Sequence, residues 1–275
     1  MIKKEGELCL GVLSGIYWKP SPDLWEKLEE GFELIPGKLR LRIFTEKDRE
    51  LFTSISPFLE LELQRGQEKH TVLEIKNIST NELFAKEFDP LAKTLLAFRL
   101  LKAGGIFLDT IHAIENGFKR RIIYPSEPGI LPGYEFSLDE IENLIPTIIK
   151  VQTVDFDRYP SLRIACTRFG RSYLDRFDED KLIDLCIGFE ALFLKGEYQK
   201  SELGMGQVVG IACSMLIGKD NAERTDIQIN IESGFRLRNK VVHGQEIDVN
   251  RQKSIEEILS DFENNLRRSI LRLML

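Results

Sequence analysis

The sequence predicts an α+β fold in two parts: a mixed, β-leaning N-terminal domain over residues 1–155 and an all-α helical bundle over residues 160–275. Three observations predict it. Apolar and polar residues alternate over strand-length runs in the first third of the chain. Long helical patterns joined by short loops follow Leu162. Between the two regions lie "PSEPGILPG" (125–133) and "DFDRYPS" (155–161), breaks rich in proline and turn residues.

The elements follow in order. "LCLGVLSGIYW" (8–18) imitates the apolar core of a signal peptide, but Glu5 and Glu7 spoil a positive start and no small-x-small cleavage site follows before Lys19-Pro20. It reads instead as a buried strand turning at Ser14-Gly15. "KLRLRIFT" (38–45) alternates Leu39, Leu41 and Ile43 with Arg40, Arg42 and Phe44, the period of a half-buried strand. "FLELELQRG" (58–66) and "KHTVLEIKNIS" (69–79) read as a hairpin. "DPLAKTLLAFRLLKAGG" is a helix with Pro90 in its first turn and Gly104 at its exit. "IFLDTIHAI" and "FKRRIIYP" form a strand pair around Asn116-Gly117, a strong hairpin dipeptide. A helix begins at Ser137, with Glu140 completing a capping box, and Pro146 should kink or end it. Five helices then fill the C-terminal part, ending at or near Phe177, Gly196, Gly218, Gly244 and the C-terminus.

Composition bounds the function. The chain has 275 residues, 43% of them hydrophobic and 30% charged, enough for a core that needs no disulfide or metal. Its net charge of −6 supplies no global field for nucleic acid, so any RNA contact must come from a local patch. Cys9, Cys166, Cys186 and Cys213 form no CxxC pair and read as reduced, structural thiols of a cytoplasmic protein. No apolar run approaches the roughly 18 to 20 residues that span a bilayer. No Asp, Glu and His cluster has metal-ligand spacing, and no cofactor motif is present, so neither a metal nor a cofactor is expected. No helix-turn-helix stands out, which disfavours DNA binding.

The chemistry concentrates in "RLRNKVVHG" (236–244). Asn239 and His243 are four residues apart, and Arg236 and His243 seven, so each pair shares a helix face. Arg238 and His243 lie about 140° apart around an ideal helix. Gly244 lets the chain leave in a left-handed conformation, and cations before such a glycine are also ordinary helix-ending chemistry. In "IDLCIGFEALFL", Glu190 is flanked by Cys186, Ile187, Phe193 and Leu194. A carboxylate so walled needs a partner, and Arg238 is the natural one unless Glu190 reaches water at the bundle rim. His70 and His112 read as structural or surface residues of the N-terminal part. Arg163, Arg168, Arg171 and Arg176 fall partly on common faces of the first bundle helix, where Tyr173 could stack on a base. A solvated helix face is the plainer reading there, as it is for Arg267, Arg268 and Arg272.

Residues 160–275 resemble an HEPN domain (higher eukaryotes and prokaryotes nucleotide-binding), in particular its Apea-like branch. The resemblance rests on Arg238, Asn239, the spacer Lys240-Val241-Val242, and His243, together with the acidic helix "LIDLCIGFEALFL". "AFRLLKAGGIFLDTIHAI" also resembles the region that precedes the helical part in Apea-like proteins. The resemblance implies a metal-independent endoribonuclease that leaves 2′,3′-cyclic phosphate ends, with Arg238, His243, Asn239 and Glu190 as catalytic-site residues. Lys240 and Arg236 would bind RNA, and a homodimer through the bundle would bring two motifs together. It also implies a role in defence against phage, with an unknown trigger or partner protein acting through residues 1–155. The alternative is a non-catalytic HEPN module for nucleotide binding, protein interaction or dimerisation.

Overall fold

In the computed structural model, the chain divides into two compact units, residues 1–153 and 154–275. The described residues are 7–52, 70–78, 90–115, 118–123, 133–175, 177–194, 202–245 and 255–274. Among them the first unit holds β1 (Leu8–Ser14), β2 (Ile16–Trp18), α1 (Leu24–Glu30), β3 (Phe32–Ile35), β4 (Leu39–Ile43), α2 (Glu46–Phe52) and β5 (Thr71–Lys76). It continues with α3 (Pro90–Leu101), β6 (Phe107–Glu115), β7 (Phe118–Ile123), β8 (Tyr134–Phe136) and α4 (Leu138–Thr153).

Six of these strands form a sheet in the order β3-β4-β5-β1-β6-β7, and every neighbouring pair is antiparallel. The apolar segment near the N-terminus is its centre. Gly15, at φ 75°, turns the chain out of β1 into β2, which pairs in parallel with β8. A Cβ at Gly15 would lie 1.8 Å from the Gly105 carbonyl oxygen, so the position admits only glycine. The β6–β7 hairpin forms as its sequence requires, with the Asn116-Gly117 turn outside the described residues. The expected hairpin of 69–79 with 58–66 needs correction. Both edges of β5 are occupied, by β1 and β4, and residues 58–66 lie outside the described residues.

Arg42 departs from simple alternation as well. It is 7% exposed and is held by Asp48 at 2.6 and 2.9 Å and by Glu74 at 2.7 Å. Burying a guanidinium is costly, and these counter-charges offset that cost. In α4, Glu140 accepts from the Ser137 amide at 2.8 Å, one half of the expected capping box. The helix runs on to Thr153, seven residues past Pro146, so Pro146 does not end it. Gln152 donates to the Pro90 carbonyl at 2.9 Å and ties α4 to the start of α3.

The second unit contains α5 (Pro160–Arg171), α6 (Asp178–Phe193), α7 (Met205–Ile217), α8 (Asn221–Val242) and α9 (Ile255–Leu273). These five helices occupy the stretches that the sequence marks as helical. α9 packs against the other four, and its Phe262 ring lies 4.6 Å from that of Phe189 on α6 and 6.1 Å from that of Phe235 on α8. Gly234 makes that approach possible: a Cβ there would meet the Phe262 ring at 2.5 Å. Arg238 comes one turn after Gly234, on the same side of α8. No helix of the described residues is long and apolar enough to cross a membrane.

Candidate functional site

α8 starts at the N-cap Asp220, whose carboxylate accepts from the Glu223 amide at 2.9 Å. It ends at His243, the C-cap residue, with φ −94° and ψ 6°. Gly244 follows at φ 62°. The Gly244 amide donates to the Val241 carbonyl at 3.1 Å and the Gln245 amide to the Lys240 carbonyl at 2.9 Å. This pair of bonds is a Schellman motif, which satisfies the last carbonyls of the helix. Among the described residues nothing lies within 4 Å of a Cβ built on Gly244, so the positive φ is what favours glycine there. Gly244→Ala is therefore expected to cost about 1 kcal/mol, read as a small fall in the urea midpoint.

Arg238 is half-buried and Glu190, on α6, is half-buried opposite it. Burial pushes the Glu190 carboxyl above its ordinary range, and the Arg238 charge pulls it back part of the way. Arg238 is thus the cation that Glu190 senses, as expected, but no hydrogen bond or ion pair joins them. Glu190 Oε1 and Arg238 Nε are both buried without a hydrogen-bond partner. Arg238 Nη1 donates to Asn239 Oδ1 at 3.3 Å. Asn239, Arg236 and His243 are exposed, and Lys240 is half-buried. The His243 amide donates to the Asn239 carbonyl at 3.1 Å, and the imidazole makes no side-chain hydrogen bond among the described residues.

Beside the motif, a groove is lined by Gly204–Gln207 in the first turn of α7 and by Glu232, Phe235, Arg236 and Asn239 of α8. The sequence reading misses this neighbourhood. Its signal is "GMG" (204–206), two glycines at a helix start: a Cβ on Gly206 would press on Phe235 at 3.0 Å. Among the described residues no group of three His, Cys, Asp or Glu could hold a metal.

The other basic residues need correction. Tyr173 is 1% exposed and donates to Glu263 at 2.5 Å, so it cannot stack on a base. Arg168 binds Asp184 at 2.7 Å and Arg171 binds it at 3.4 Å, while Arg176 lies outside the described residues. Arg267 is buried against Glu263, and Arg268 is paired with Glu223 at 2.7 Å. Arg168, Arg267 and Arg268 are thus spent on neighbouring carboxylates, whereas Arg272 of α9, like Arg236 of α8, is exposed.

Asp175, at the end of the α5 turn, is in the opposite position. Burial first, then the carboxylates of Asp184 and Asp180, push its pKa up to about 6, against the pull of Arg171 and Arg168. Its Oδ2 is buried without a hydrogen-bond partner. The folded pKa lies above the unfolded one, so the contribution of protonated Asp175 is fully present below about pH 4 and is lost as pH rises through about 6. Asp175→Asn is expected to raise stability at about pH 7.5 and to leave it nearly unchanged at about pH 4, as read by urea unfolding at both values.

No family model, curated protein or solved structure matches this chain.

Proposed function

We propose that the end of α8 is the active site of a metal-independent endoribonuclease of HEPN type. The observation that carries this reading is the arrangement around Arg238. A half-buried guanidinium keeps an unfilled Nε–H donor, faces the carboxylate of Glu190, and stands within one and a half turns of the free imidazole of His243. Arg267 and Arg268 of the same bundle are instead closed off by direct ion pairs to Glu263 and Glu223.

The chemistry suits RNA. His243 takes the proton from a ribose 2′-hydroxyl, and the 2′-oxygen attacks the adjacent phosphorus. Arg238 offers its donors to the non-bridging oxygens as charge builds on them. The bond to the 5′-oxygen breaks, and a second His243, from a two-fold related copy, returns a proton to it. The products are a 2′,3′-cyclic phosphate and a 5′-hydroxyl. Glu190 acts on Arg238 through its charge, Asn239 orients the motif, and Arg236 and Lys240 hold flanking phosphates. The groove between α7 and α8 gives the strand a path away from the motif. The resemblance to Apea-like proteins extends the proposal to phage defence in the cytoplasm.

A second reading has its own support. The Schellman motif accounts for Gly244 and the neighbouring cations without any catalysis, which favours a binding or dimerising bundle. Incubation of purified protein with end-labelled RNA in excess EDTA separates the two. The nuclease reading expects fragments with cyclic-phosphate ends and a dimer by light scattering. Intact RNA at all protein concentrations favours the binding reading.

A further inference from the structure

We propose that the groove between α8 and α9 is a docking site for a basic amphipathic helix of a partner protein. The groove is a cavity of about 630 Å³ with an isoleucine floor, Ile227 and Ile229 from α8 and Ile258 from α9. Ile227 and Ile258 are buried, but Ile229 is 59% exposed. An exposed apolar side chain is ordinary by itself; one set in a concave, rimmed surface is a contact waiting for cover. The groove is preformed. Asn265 donates to Asn230 at 3.0 Å across its floor, and Asn230 donates to the Ile258 carbonyl at 3.4 Å.

Charge selects the occupant. Among the described lining residues, the acidic groups Glu223 and Asp226 on α8 and Asp261 on α9 outnumber the basic one, Arg268. Arg268 is already committed to Glu223 at 2.7 Å and to the Ile217 carbonyl at 2.8 Å. With Glu223 taken by Arg268, the exposed carboxylate of Asp226 disfavours a nucleic acid and favours lysine or arginine side chains at this rim. The lining runs from Ser233 back to Glu223 along α8, about 15 Å at the helical rise. That length takes about three turns of a helix, with an apolar stripe over Ile229 and cations toward Asp226. Asp226 precedes Arg238 by about 18 Å along α8. The nearer end of the lining, Ser233, lies only about 7.5 Å before Arg238, but the groove shares no residue with the proposed nuclease site, and its chemistry does not depend on that reading.

The probe is a labelled twelve-residue helical peptide with leucines on one face and lysines on its flanks, titrated into the full chain by fluorescence anisotropy. A second peptide carries glutamate in place of each lysine. The lysine peptide is expected to bind saturably and the glutamate peptide not at all. Asp226→Lys and Ile229→Lys, both at exposed positions, should weaken binding at least about tenfold. Glu179→Lys, which removes an exposed carboxylate of α6, should change it less than about twofold. Three outcomes overturn the proposal. The lysine peptide fails to saturate; Glu179→Lys weakens binding as much as Asp226→Lys; or Asp226→Lys changes the oligomeric state by light scattering, which assigns the groove to a second copy of the chain.

Discussion

His243→Ala and Arg238→Ala are each expected to lower RNA cleavage at least about 100-fold, the usual loss for a general acid–base group or for a donor to developing phosphate charge. The two substitutions act by different routes, and stability measurements separate them. His243 is exposed and its imidazole makes no side-chain hydrogen bond among the described residues, so its removal should shift stability by less than about 0.5 kcal/mol. Arg238→Ala also removes the cation that compensates Glu190, and should push that carboxyl further toward its protonated form. Arg238→Lys keeps the charge but loses the planar fork, and should recover stability without recovering cleavage. Cleavage rates under single-turnover conditions, beside urea midpoints for the same variants, check all three.

Glu263→Ala is expected to destabilise the bundle by about 3–5 kcal/mol, because it leaves buried cations without their counter-charge. Glu263 is 5% exposed and takes contacts from three helices or their ends: Tyr173 at 2.5 Å, Lys181 at 2.8 Å, and Arg267 on its own helix. Burial raises its pKa, but Lys181 and Arg267, with hydrogen bonds from Lys181 and Tyr173, outweigh burial and hold the carboxyl below its ordinary range. The folded value is depressed, so the stabilisation is present above the unfolded pKa of about 4.3 and is lost as pH falls through the folded value. Glu263→Gln should therefore lose most of its penalty relative to wild type in strong acid, whereas at neutral pH both variants should unfold at lower urea. Equal urea midpoints for wild type and Glu263→Ala at neutral pH would show that the network carries no net stability.

The local elements were legible in the sequence because local physics sets them. Pro90 starts a helix, Gly244 ends one in a left-handed turn, and the register of β6 on β7 follows from a two-residue hairpin turn, whereas Pro160, placed in a break by the sequence, opens α5. The order of the sheet was not legible. β1 lies between β5 and β6, partners some sixty and a hundred residues away, and alternation within a strand carries no information about its neighbours. Arg42 shows the same limit at one residue. Alternation places it opposite Leu41, but that face is covered too, and the counter-charges Asp48 and Glu74 come from α2 and β5. At the candidate site, the apolar walls of Glu190 marked a carboxylate in need of a cation, and Arg238 supplies the charge. The distance between them was beyond the sequence, as was the fate of Tyr173, whose buried hydroxyl donates to Glu263 and accepts from Arg267.

The most direct measurement is cleavage in excess EDTA of one RNA and of the same oligonucleotide with every 2′-hydroxyl methylated, by wild type and His243→Ala, with product ends read by mass spectrometry. The expected result is that wild type cuts the RNA to 2′,3′-cyclic phosphate and 5′-hydroxyl ends, leaves the methylated strand intact, and loses this activity on His243→Ala. Cleavage of the methylated strand, or equal cleavage of RNA by His243→Ala, would contradict a 2′-hydroxyl mechanism at the end of α8.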